Sequence, residues 1–312
     1  MNAPPPRAAV IVGTRASALA LSQTAQVIRV LEGAWPGLSS EARAIVTHGD
    51  RTQASGEPLP SIGGKGLFTA ELEQALRTGE IHFAVHSLKD LPTEEVEGVV
   101  LGAVCRRDDA RDCLVARDNA LLEQLARAAV VGTSSLRRAA QLRALRPDLE
   151  IRSIRGNVDT RIRKVRDGEF DATLLAAAGI VRLGLEHEVA EWLPVDTMLP
   201  APGQGALALQ CRAGDEETLE LLGAIDHAAT RAATTAERAF LRALGAGCTA
   251  PVAVFAEVVG ADRVRARGLV ASPDGRELVR VFGEGTPDEL GGRLAREALA
   301  AGADAILEAI RG

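Results

Sequence analysis

The chain has 312 residues, enough for two or three domains, and its apolar and charged fractions (46% and 25%) are those of an ordinary globular protein. A net charge of −6 argues against non-specific nucleic-acid binding by the whole molecule, and no apolar run is long enough for a membrane span or resembles a signal peptide, so a cytoplasmic protein is expected. The four cysteines lack metal-ligand spacing, which argues against a zinc site and, in the cytosol, against disulfides.

The first elements of the chain predict a strand, a turn and a helix. Residues 10–12 are a short apolar run, and residues 18–31 have the periodicity of an amphipathic helix. Between them lies a turn that contains Gly13, Arg15 and Ser17. A glycine turn from a strand into a helix that starts at Ser directs backbone N–H groups toward an anion, and Arg15 adds positive charge there.

A second strand is predicted at 44–47, followed by a long loop at 49–64 that is rich in turn residues. A helix at 67–77 and a strand at 81–85 come next. Lys89 and Asp90 follow that strand, at the edge of the sheet where α/β proteins place ligand groups. The pair is interpreted either as an exposed loop ion pair or as part of a binding site.

The most basic part of the chain lies between Arg137 and Arg166, with a local net charge of +7 against −13 for the remainder. Such a concentration in an acidic protein indicates anion binding. Arg143 and Arg146 fit the simpler interpretation of a solvated helix face. Four arginines beside turns or helix starts are better placed to form bidentate pairs with carboxylates or phosphates: Arg137, Arg138, Arg155 and Arg161.

Two segments of the chain are similar in sequence pattern to two earlier segments. Residues 11–19 resemble 131–139, and residues 66–85 resemble 156–175, with a glycine that opens a helix, a Gly-Glu pair that closes it and an apolar strand after it. Two α/β domains of similar plan are therefore expected, with a binding site in the cleft between them.

The remaining elements complete the second and first domains and then form a third. A buried parallel strand is predicted at 171–178, an interdomain crossing at 199–205, and a strand at 206–210 that returns to the first domain. A helix at 226–244, strands at 252–259 and 264–271, and a helix at 287–307 follow. The expected domains are residues 1–105 with 200–225 (α/β, discontinuous), 106–199 (α/β, the Arg-rich wall of the cleft) and 226–312 (a small C-terminal α+β domain).

Among the cysteines, Cys248 differs from the others in its sequence context. Cys248 lies in a loop between glycines and a proline, where a thiol is accessible, although a small buried side chain is the simpler interpretation. Cys105, Cys113 and Cys211 are expected to be core or structural residues. His86 is expected to pack near a strand end.

Taken together, these motifs resemble the hydroxymethylbilane synthase (porphobilinogen deaminase) family over nearly the whole chain. The matching segments are 13–20 (GTRASALA), 63–68 (GGKGLF), 84–92 (AVHSLKDLP), 131–138 (VGTSSLRR), 151–161 (IRSIRGNVDTR), 183–185 (LGL), 199–206 (LPAPGQGA) and the Gly-Cys pair at 247–248. The resemblance implies two α/β domains like those of periplasmic binding proteins, flanking a cleft, and a small C-terminal α+β domain. It also implies an enzyme that joins four porphobilinogen molecules head to tail with loss of ammonia and then releases linear hydroxymethylbilane.

The resemblance further implies a dipyrromethane cofactor, attached through a thioether to Cys248. The residues implied to hold this cofactor are Lys89, Asp90, Thr133, Ser135, Arg137, Arg138 and Arg161. Those implied to bind the acidic side chains of the substrate are Arg15, Ser17, Arg155 and Arg182. Asp90 maps onto the catalytic aspartate, which stabilises the cation formed when ammonia leaves and transfers protons.

The sequence departs from the family pattern at two places. The Cys248 loop reads GAGCTAP where Gly-Gly-Cys followed by a polar residue is common, and His48 replaces a common Arg, so an anion contact there is in doubt. Porphobilinogen is the expected partner, with no nucleic acid, no membrane and no metal, and the chain is expected to be a monomer.

Two other classes compete with this interpretation. A solute-binding protein that clamps an anion between two lobes would need neither Cys248 nor a third domain. An Arg-rich nucleic-acid binder conflicts with the acidic remainder of the chain and with the lack of interleaved aromatic residues.

Overall fold

A computed structural model of the chain describes residues 5–49, 69–94, 96–247 and 250–311. It divides into two compact units: unit 1 is Met1–Arg107 with Ala206–Arg231, and unit 2 is Asp108–Gly205 with Ala232–Gly312. The predicted crossing at 199–205 therefore ends where unit 2 returns to unit 1. The three-domain division expected from the sequence stays a prediction.

The strands and helices follow one another in a mixed order along the chain. The strands are β1 Ala9–Arg15, β2 Ser39–Ile45, β3 Phe83–Ser87, β4 Val99–Val104, β5 Asp112–Ala116, β6 Val130–Gly132, β7 Glu150–Arg152, β8 Ala172–Ala176, β9 Glu191–Leu193, β10 Leu207–Arg212, β11 Val252–Gly260, β12 Arg263–Ala271 and β13 Leu278–Gly285. The helices are α1 Ala18–Ala34, α2 Ala70–Arg77, α3 Leu136–Leu145, α4 Val158–Arg166, α5 Ala177–Arg182, α6 Glu216–Gly223, α7 Ala228–Ala243, α8 Pro287–Ala298 and α9 Asp304–Arg311.

Unit 1 is built on a five-stranded sheet of order β2-β1-β3-β10-β4. Strand β1 runs parallel to β2 and β3, whereas β10 runs antiparallel to β3 and β4. Helix α1 packs on this sheet through Val27 and Leu31, four residues apart on one helix face, and both are buried. Burial of such a side chain contributes about 1.5–3 kcal/mol. The prediction that residues 206–210 return to the first sheet is confirmed by the pairing of β10.

Unit 2 contains a second five-stranded sheet, of order β7-β6-β8-β5-β9. Strand β6 runs parallel to β7 and β8, and β5 runs antiparallel to β8 and β9. Position by position this is the arrangement of the first sheet, with β6 in the place of β1 and β5 in the place of β10. The shared strand order supports the internal repeat inferred from the sequence.

Corresponding glycines in the two sheets have the same packing role. A Cβ on Gly13 would lie 2.3 Å from Cδ1 of Ile81, and a Cβ on Gly132 would lie 2.9 Å from Cδ1 of Ile154. In each sheet an isoleucine side chain occupies the space above the glycine of the strand that leads into the turn. Close packing rather than a turn conformation therefore favours glycine at both positions, since an added Cβ would displace the isoleucine side chain.

The C-terminal part of unit 2 has its own antiparallel sheet of order β11-β12-β13. Helices α7 and α8 pack on it, with Phe240, Val264, Leu290 and Leu294 fully buried in the shared core. The prediction of an α/β fold with a small C-terminal α+β part is confirmed. How the two units are placed about a cleft stays a prediction. In the part of the chain that the structure describes, no helix is both long and apolar enough to cross a membrane.

Several predicted boundaries were wrong. The second strand is Ser39–Ile45 rather than 44–47, and the strand predicted at 171–178 ends at Ala176, where α5 begins. The helix predicted at 287–307 is interrupted by a π-helical turn at Leu299–Ala303, in which Gly302 has φ 103°. Strand β13 was not predicted, because its alternation of Val, Arg and Phe carries a weak apolar signal.

Candidate active site

In unit 1 the predicted site residues lie at the carboxyl edge of the first sheet. Ser17 caps α1 by accepting the N–H of Ala20 (3.3 Å), and Arg15 is the last residue of β1. Lys89 and Asp90 form a short 3₁₀ turn directly after β3. Because β1 and β3 are parallel neighbours, their carboxyl ends meet at one edge. Asp90 is exposed there, so its carboxylate is accessible to a ligand.

His86 lies behind this edge and is buried, as predicted. Burial and then the charge of Arg15 lower the pKa of His86 to about 4. Its Nε2 atom has no hydrogen-bond partner. An imidazole with this pKa is neutral near pH 7, so His86 is not a cationic ligand group.

In unit 2 the site is built around the start of α3. Ser135 caps the helix, since its hydroxyl accepts the N–H of Arg138 (3.4 Å). The hydroxyl of Thr133, which is buried, accepts the N–H of Ser135 (3.2 Å). Both hydroxyls thus order the turn that follows β6, where a helix N-terminus favours an anion.

Arg137 and Arg138 are buried, each 6% exposed, and they share one counter-ion. Nη1 of Arg137 donates to Oδ2 of Asp112, and Nη2 of Arg138 donates to Oδ1 (both 2.7 Å). Burial alone would raise the pKa of Asp112, but the charges of the two arginines and the hydrogen bonds they donate outweigh it and hold that pKa well below its usual range. The prediction placed both arginines at a helix start, and sequence reasoning missed Asp112.

Arg155 and Arg161 add further positive charge to this region. Nε of Arg161 donates to the carbonyl oxygen of Gly156 (2.8 Å). Burial, followed by the charges of Arg138 and Arg155, lowers the pKa of Arg161 to about 10. Within the described ranges, no carboxylate lies at ion-pair distance from Arg161. We call Arg137, Arg138, Arg155 and Arg161 the arginine group.

Arg182, at the end of α5, is bound to the segments through which the chain enters and leaves the Arg-rich part of unit 2. Its Nε and Nη2 atoms lie 3.0 and 2.8 Å from Oδ2 of Asp108, and Nη2 donates to the carbonyl oxygen of Gly205 (2.8 Å). The side chain is 7% exposed. That Arg182 binds a substrate carboxylate stays a prediction.

Arg143 and Arg146 are half-exposed, and both also bond to segments beyond the helix. Arg143 donates to the carbonyl oxygen of Pro273 (2.6 Å). Arg146 pairs with Asp148 and donates to two carbonyl oxygens of the 3₁₀ turn near Leu122. Both side chains tie α3 to neighbouring segments, because they find acceptors beyond the helix.

Some predicted positions lie outside the described residues. These are Cys248, the predicted loop at 49–64 beyond Gly49, and the whole matching segment at 63–68. Of the cysteines that are described, Cys113 and Cys211 are buried and Cys105 is half-buried. Burial raises the pKa of the Cys113 thiol to about 12 and that of Cys211 to about 11, so neither is a reactive thiolate.

The structure thus forms two groups of predicted site residues, one in each unit. Unit 1 has Arg15, Ser17, Lys89 and Asp90; unit 2 has Thr133, Ser135, Arg182 and the arginine group. That the two groups face one another is a prediction from the sequence. Residues that the sequence reasoning missed are Asp112 and Gln204, and the signal for Asp112 was an acid that opens the apolar run after Arg111.

Comparisons with known proteins agree over nearly the full chain. Residues 10–220 match the family model described as porphobilinogen deaminase, dipyromethane cofactor binding domain, and residues 232–300 match porphobilinogen deaminase, C-terminal domain. Porphobilinogen deaminase of Brevibacillus brevis is 49% identical over 302 residues (96% of this chain, 97% of that protein). The Roseiflexus castenholzii protein of the same name is 49% identical over 304 residues (96% and 99%), and that of Geobacillus kaustophilus is 47% identical over 304 residues (97% of each).

Solved structures to which the chain is similar are far more distant in sequence. A putative methionine-binding lipoprotein from Bacillus subtilis is 11% identical and covers 71% of this chain and 91% of its own, with a TM-score of 0.43. The sulfate-bound OxyR2 regulatory domain from Vibrio vulnificus is 16% identical and covers 72% of this chain and 97% of its own, with a TM-score of 0.45. The strand order within each sheet, and not these similarities, defines the fold class of this chain.

Proposed function

Since this chain belongs to the porphobilinogen deaminase family, we propose that its two groups of site residues divide one reaction between them. The chain is a transferase of tetrapyrrole biosynthesis. It joins four porphobilinogen molecules head to tail with loss of ammonia and releases linear hydroxymethylbilane by hydrolysis. A solute-binding protein and a nucleic-acid binder are thereby set aside. That the chain acts as a cytoplasmic monomer without nucleic-acid or membrane partners stays a proposal.

Three members of the arginine group, Arg137, Arg138 and Arg161, fit the dipyrromethane cofactor of the family. Each pyrrole of that cofactor carries an acetate and a propionate, and the cofactor supplies the primer to which substrate units are added. Arg138 Nε is buried and has no hydrogen-bond partner, and burial, followed by the charges of Arg138 and Arg155, lowers the pKa of Arg161. A ligand carboxylate would accept the Nε–H of Arg138 and would offset the neighbouring positive charges at Arg161. The buried Nε–H of Arg138, which has no partner, is the observation that supports the assignment most strongly.

The proposed holding residues act in different ways. Thr133 and Ser135 order the turn before α3, so the helix N-terminus and the guanidinium groups of Arg137, Arg138 and Arg161 face a defined position. Guanidinium groups suit this role because they pair bidentately with carboxylates and stay charged when buried. Lys89 contributes a cation from unit 1, and Cys248 provides the sulfur of the thioether.

Asp90 is proposed as the catalytic residue. An exposed carboxylate at the edge of a sheet can accept the N–H groups of a pyrrole and stabilise the cationic substrate that forms when ammonia leaves. In its protonated form the same carboxyl group can deliver a proton to the leaving amine, and the carboxylate that results can remove one from the carbon that forms the new bond.

Substrate binding is assigned to Arg15, Ser17, Arg155 and Arg182. The turn after β1 presents the N-terminus of α1 beside Arg15, which suits one carboxylate of the incoming porphobilinogen. Arg182 already holds a carboxylate, that of Asp108, in a geometry that a substrate carboxylate could share. These residues therefore select a substrate with acidic side chains, while Asp90 acts on its pyrrole.

The intact mass of the purified full chain tests the proposal. An adduct of two pyrrole units is expected, and peptide mapping should place it on Cys248. Cys248→Ser should lack the adduct and be inactive, whereas Asp90→Asn should carry the adduct, keep the thermal midpoint of the parent and lose turnover. Active protein of unmodified mass would refute the cofactor assignment, and normal turnover by Asp90→Asn would refute the catalytic one.

A further inference from the structure

We propose that Asp112, supported by Gln204, is a positioning residue that orients Arg137 and Arg138 for capture of the cofactor carboxylates. The inference rests on the proposed role of these arginines in holding dipyrromethane. It concerns a carboxylate that contacts neither substrate nor cofactor and acts through its two partners.

The carboxylate of Asp112 is a branch point at which the side chains of Arg137, Arg138 and Gln204 meet. The residue is fully buried at the start of β5, in the middle of the second sheet. Oδ2 accepts from Nη1 of Arg137 (2.7 Å), and Oδ1 accepts from Nη2 of Arg138 (2.7 Å) and from Nε2 of Gln204 (2.8 Å). Each carboxylate oxygen therefore fixes one guanidinium group.

A second acceptor fixes each guanidinium in its plane. Nη1 of Arg137 also donates to the carbonyl oxygen of Leu199 (2.7 Å), and Nη1 of Arg138 donates to that of Leu174 (2.9 Å). A planar group held at two points cannot rotate, so its remaining N–H bonds keep one direction. For Arg138 these include Nε–H, which is buried and has no hydrogen-bond partner. An anion that arrives there meets donors already in position, which lowers the entropy cost of capture.

Asp112 also makes it possible to bury two adjacent cations. Two guanidinium groups that share no counter-ion would repel each other in a medium of low dielectric constant, and at least one would move toward water. The carboxylate neutralises one positive charge and leaves one in excess for a ligand. Because the pKa of Asp112 is held well below its usual range, this arrangement persists throughout the neutral range.

Gln204 belongs to the predicted crossing at 199–205 and bonds to the carboxylate of Asp112. It is fully buried, and its Nε2 atom lies 2.8 Å from Oδ1 of Asp112 and 2.8 Å from the carbonyl oxygen of Ala110. At the other end of the crossing, Gln141 of α3 bonds to both the N–H and the carbonyl oxygen of Leu199 (2.8 and 3.0 Å). The orientation of Asp112 is therefore set by residues of the crossing as well as by the arginines.

Asp112→Asn tests positioning against simple electrostatics. The amide keeps the size of the side chain but removes its charge and one acceptor. If the arginines acted only through charge, their net charge would increase and capture of an anionic cofactor would be as fast or faster. If Asp112 orients them, capture slows roughly tenfold or more, since a hydrogen bond to a charged group contributes about 1.5–3 kcal/mol.

The experiment follows adduct formation by intact mass after the full-length, cofactor-free chain is mixed with porphobilinogen. Only the folded fraction from size-exclusion chromatography is used, well below the thermal midpoint of each variant. Asp148→Asn is the matched control, because Asp148 pairs with Arg146 away from this network. Asp112→Glu keeps the charge and should recover part of the rate. Capture by folded Asp112→Asn at the parental rate or above would overturn the proposal.

Gln204→Leu covers the case in which Asp112→Asn does not fold. This variant keeps both arginines and their counter-ion. It removes the third hydrogen bond to the carboxylate, together with the hydrogen bonds of Gln204 to Ala110, Arg111 and Arg137. Capture intermediate between the parent and a severe loss is expected, and a parental rate would count against the proposal. A parent chain that never acquires an adduct would refute the proposed function itself, so the two failures are distinguishable.

Discussion

Gly275 joins the C-terminal sheet to the helix that carries Arg137 and Arg138. It lies in the turn between β12 and β13, with φ +75°, and packs against the backbone of α3. A Cβ there would lie 2.5 Å from the carbonyl oxygen of Ala140 and 2.8 Å from the nitrogen of Ala144. Neither backbone atom can move without disturbing the helix. We therefore expect Gly275→Ala to destabilise unit 2.

The expected cost has two parts. A left-handed conformation costs a non-glycine residue roughly 1–2 kcal/mol, and overpacking costs about 1–3 kcal/mol, so Gly275→Ala should cost about 2–5 kcal/mol. Gly184 isolates the first part, since it has φ +68° and no atom within 4 Å of an added Cβ. Gly184→Ala should therefore cost about 1–2 kcal/mol.

Thermal unfolding followed by circular dichroism measures both variants. In a unit of this size the midpoint falls by about 2–4 °C for each kcal/mol. Gly275→Ala should lower it clearly more than Gly184→Ala, and hydrogen exchange should increase in α3 only for Gly275→Ala. Equal midpoints for the two variants would show that the turn does not pack on α3, and the reasoning from close contact would be refuted.

Two further predictions concern buried titratable groups. The unfolded chain protonates His86 below its ordinary pKa of 6.5, whereas the folded chain does so only near pH 4; stability should therefore be lost as pH falls through this window, by up to about 3 kcal/mol. Urea titrations at each pH should show a weaker dependence for His86→Gln and an unchanged one for the exposed His187→Gln. Glu237 is fully buried and accepts one backbone N–H on each carboxylate oxygen (both 2.7 Å). Glu237→Gln must turn an amide N–H₂ toward one of these donors and should cost about 2–5 kcal/mol, against about 0.5 kcal/mol or less for the exposed Glu297→Gln; equal urea midpoints would contradict this.

The sequence alone was sufficient to predict the local units and the chemical class of the site. An apolar run, a glycine and a serine at a helix start lie within a few residues of one another, so strand, turn and capped helix could be predicted at both Ser17 and Ser135. The concentration of arginines between Arg137 and Arg166 indicated an anion, and the ordered motifs identified the family. These features depend on neighbours along the chain and on side-chain chemistry, which the sequence displays directly.

Only the tertiary structure determined which arginines are held, and by what. Asp112 is hydrogen-bonded to Arg137, which is 25 residues away in the sequence, and to Gln204, which is 92 residues away. Arg143, which by periodicity belongs on a solvated face, donates to the carbonyl oxygen of Pro273, 130 residues away in the turn between β12 and β13. Such partners depend on strand order and on which segments meet at a sheet edge, which hydrophobic periodicity does not encode. The residue types therefore indicated what is bound, while long-range packing decides which guanidinium groups are fixed to receive it.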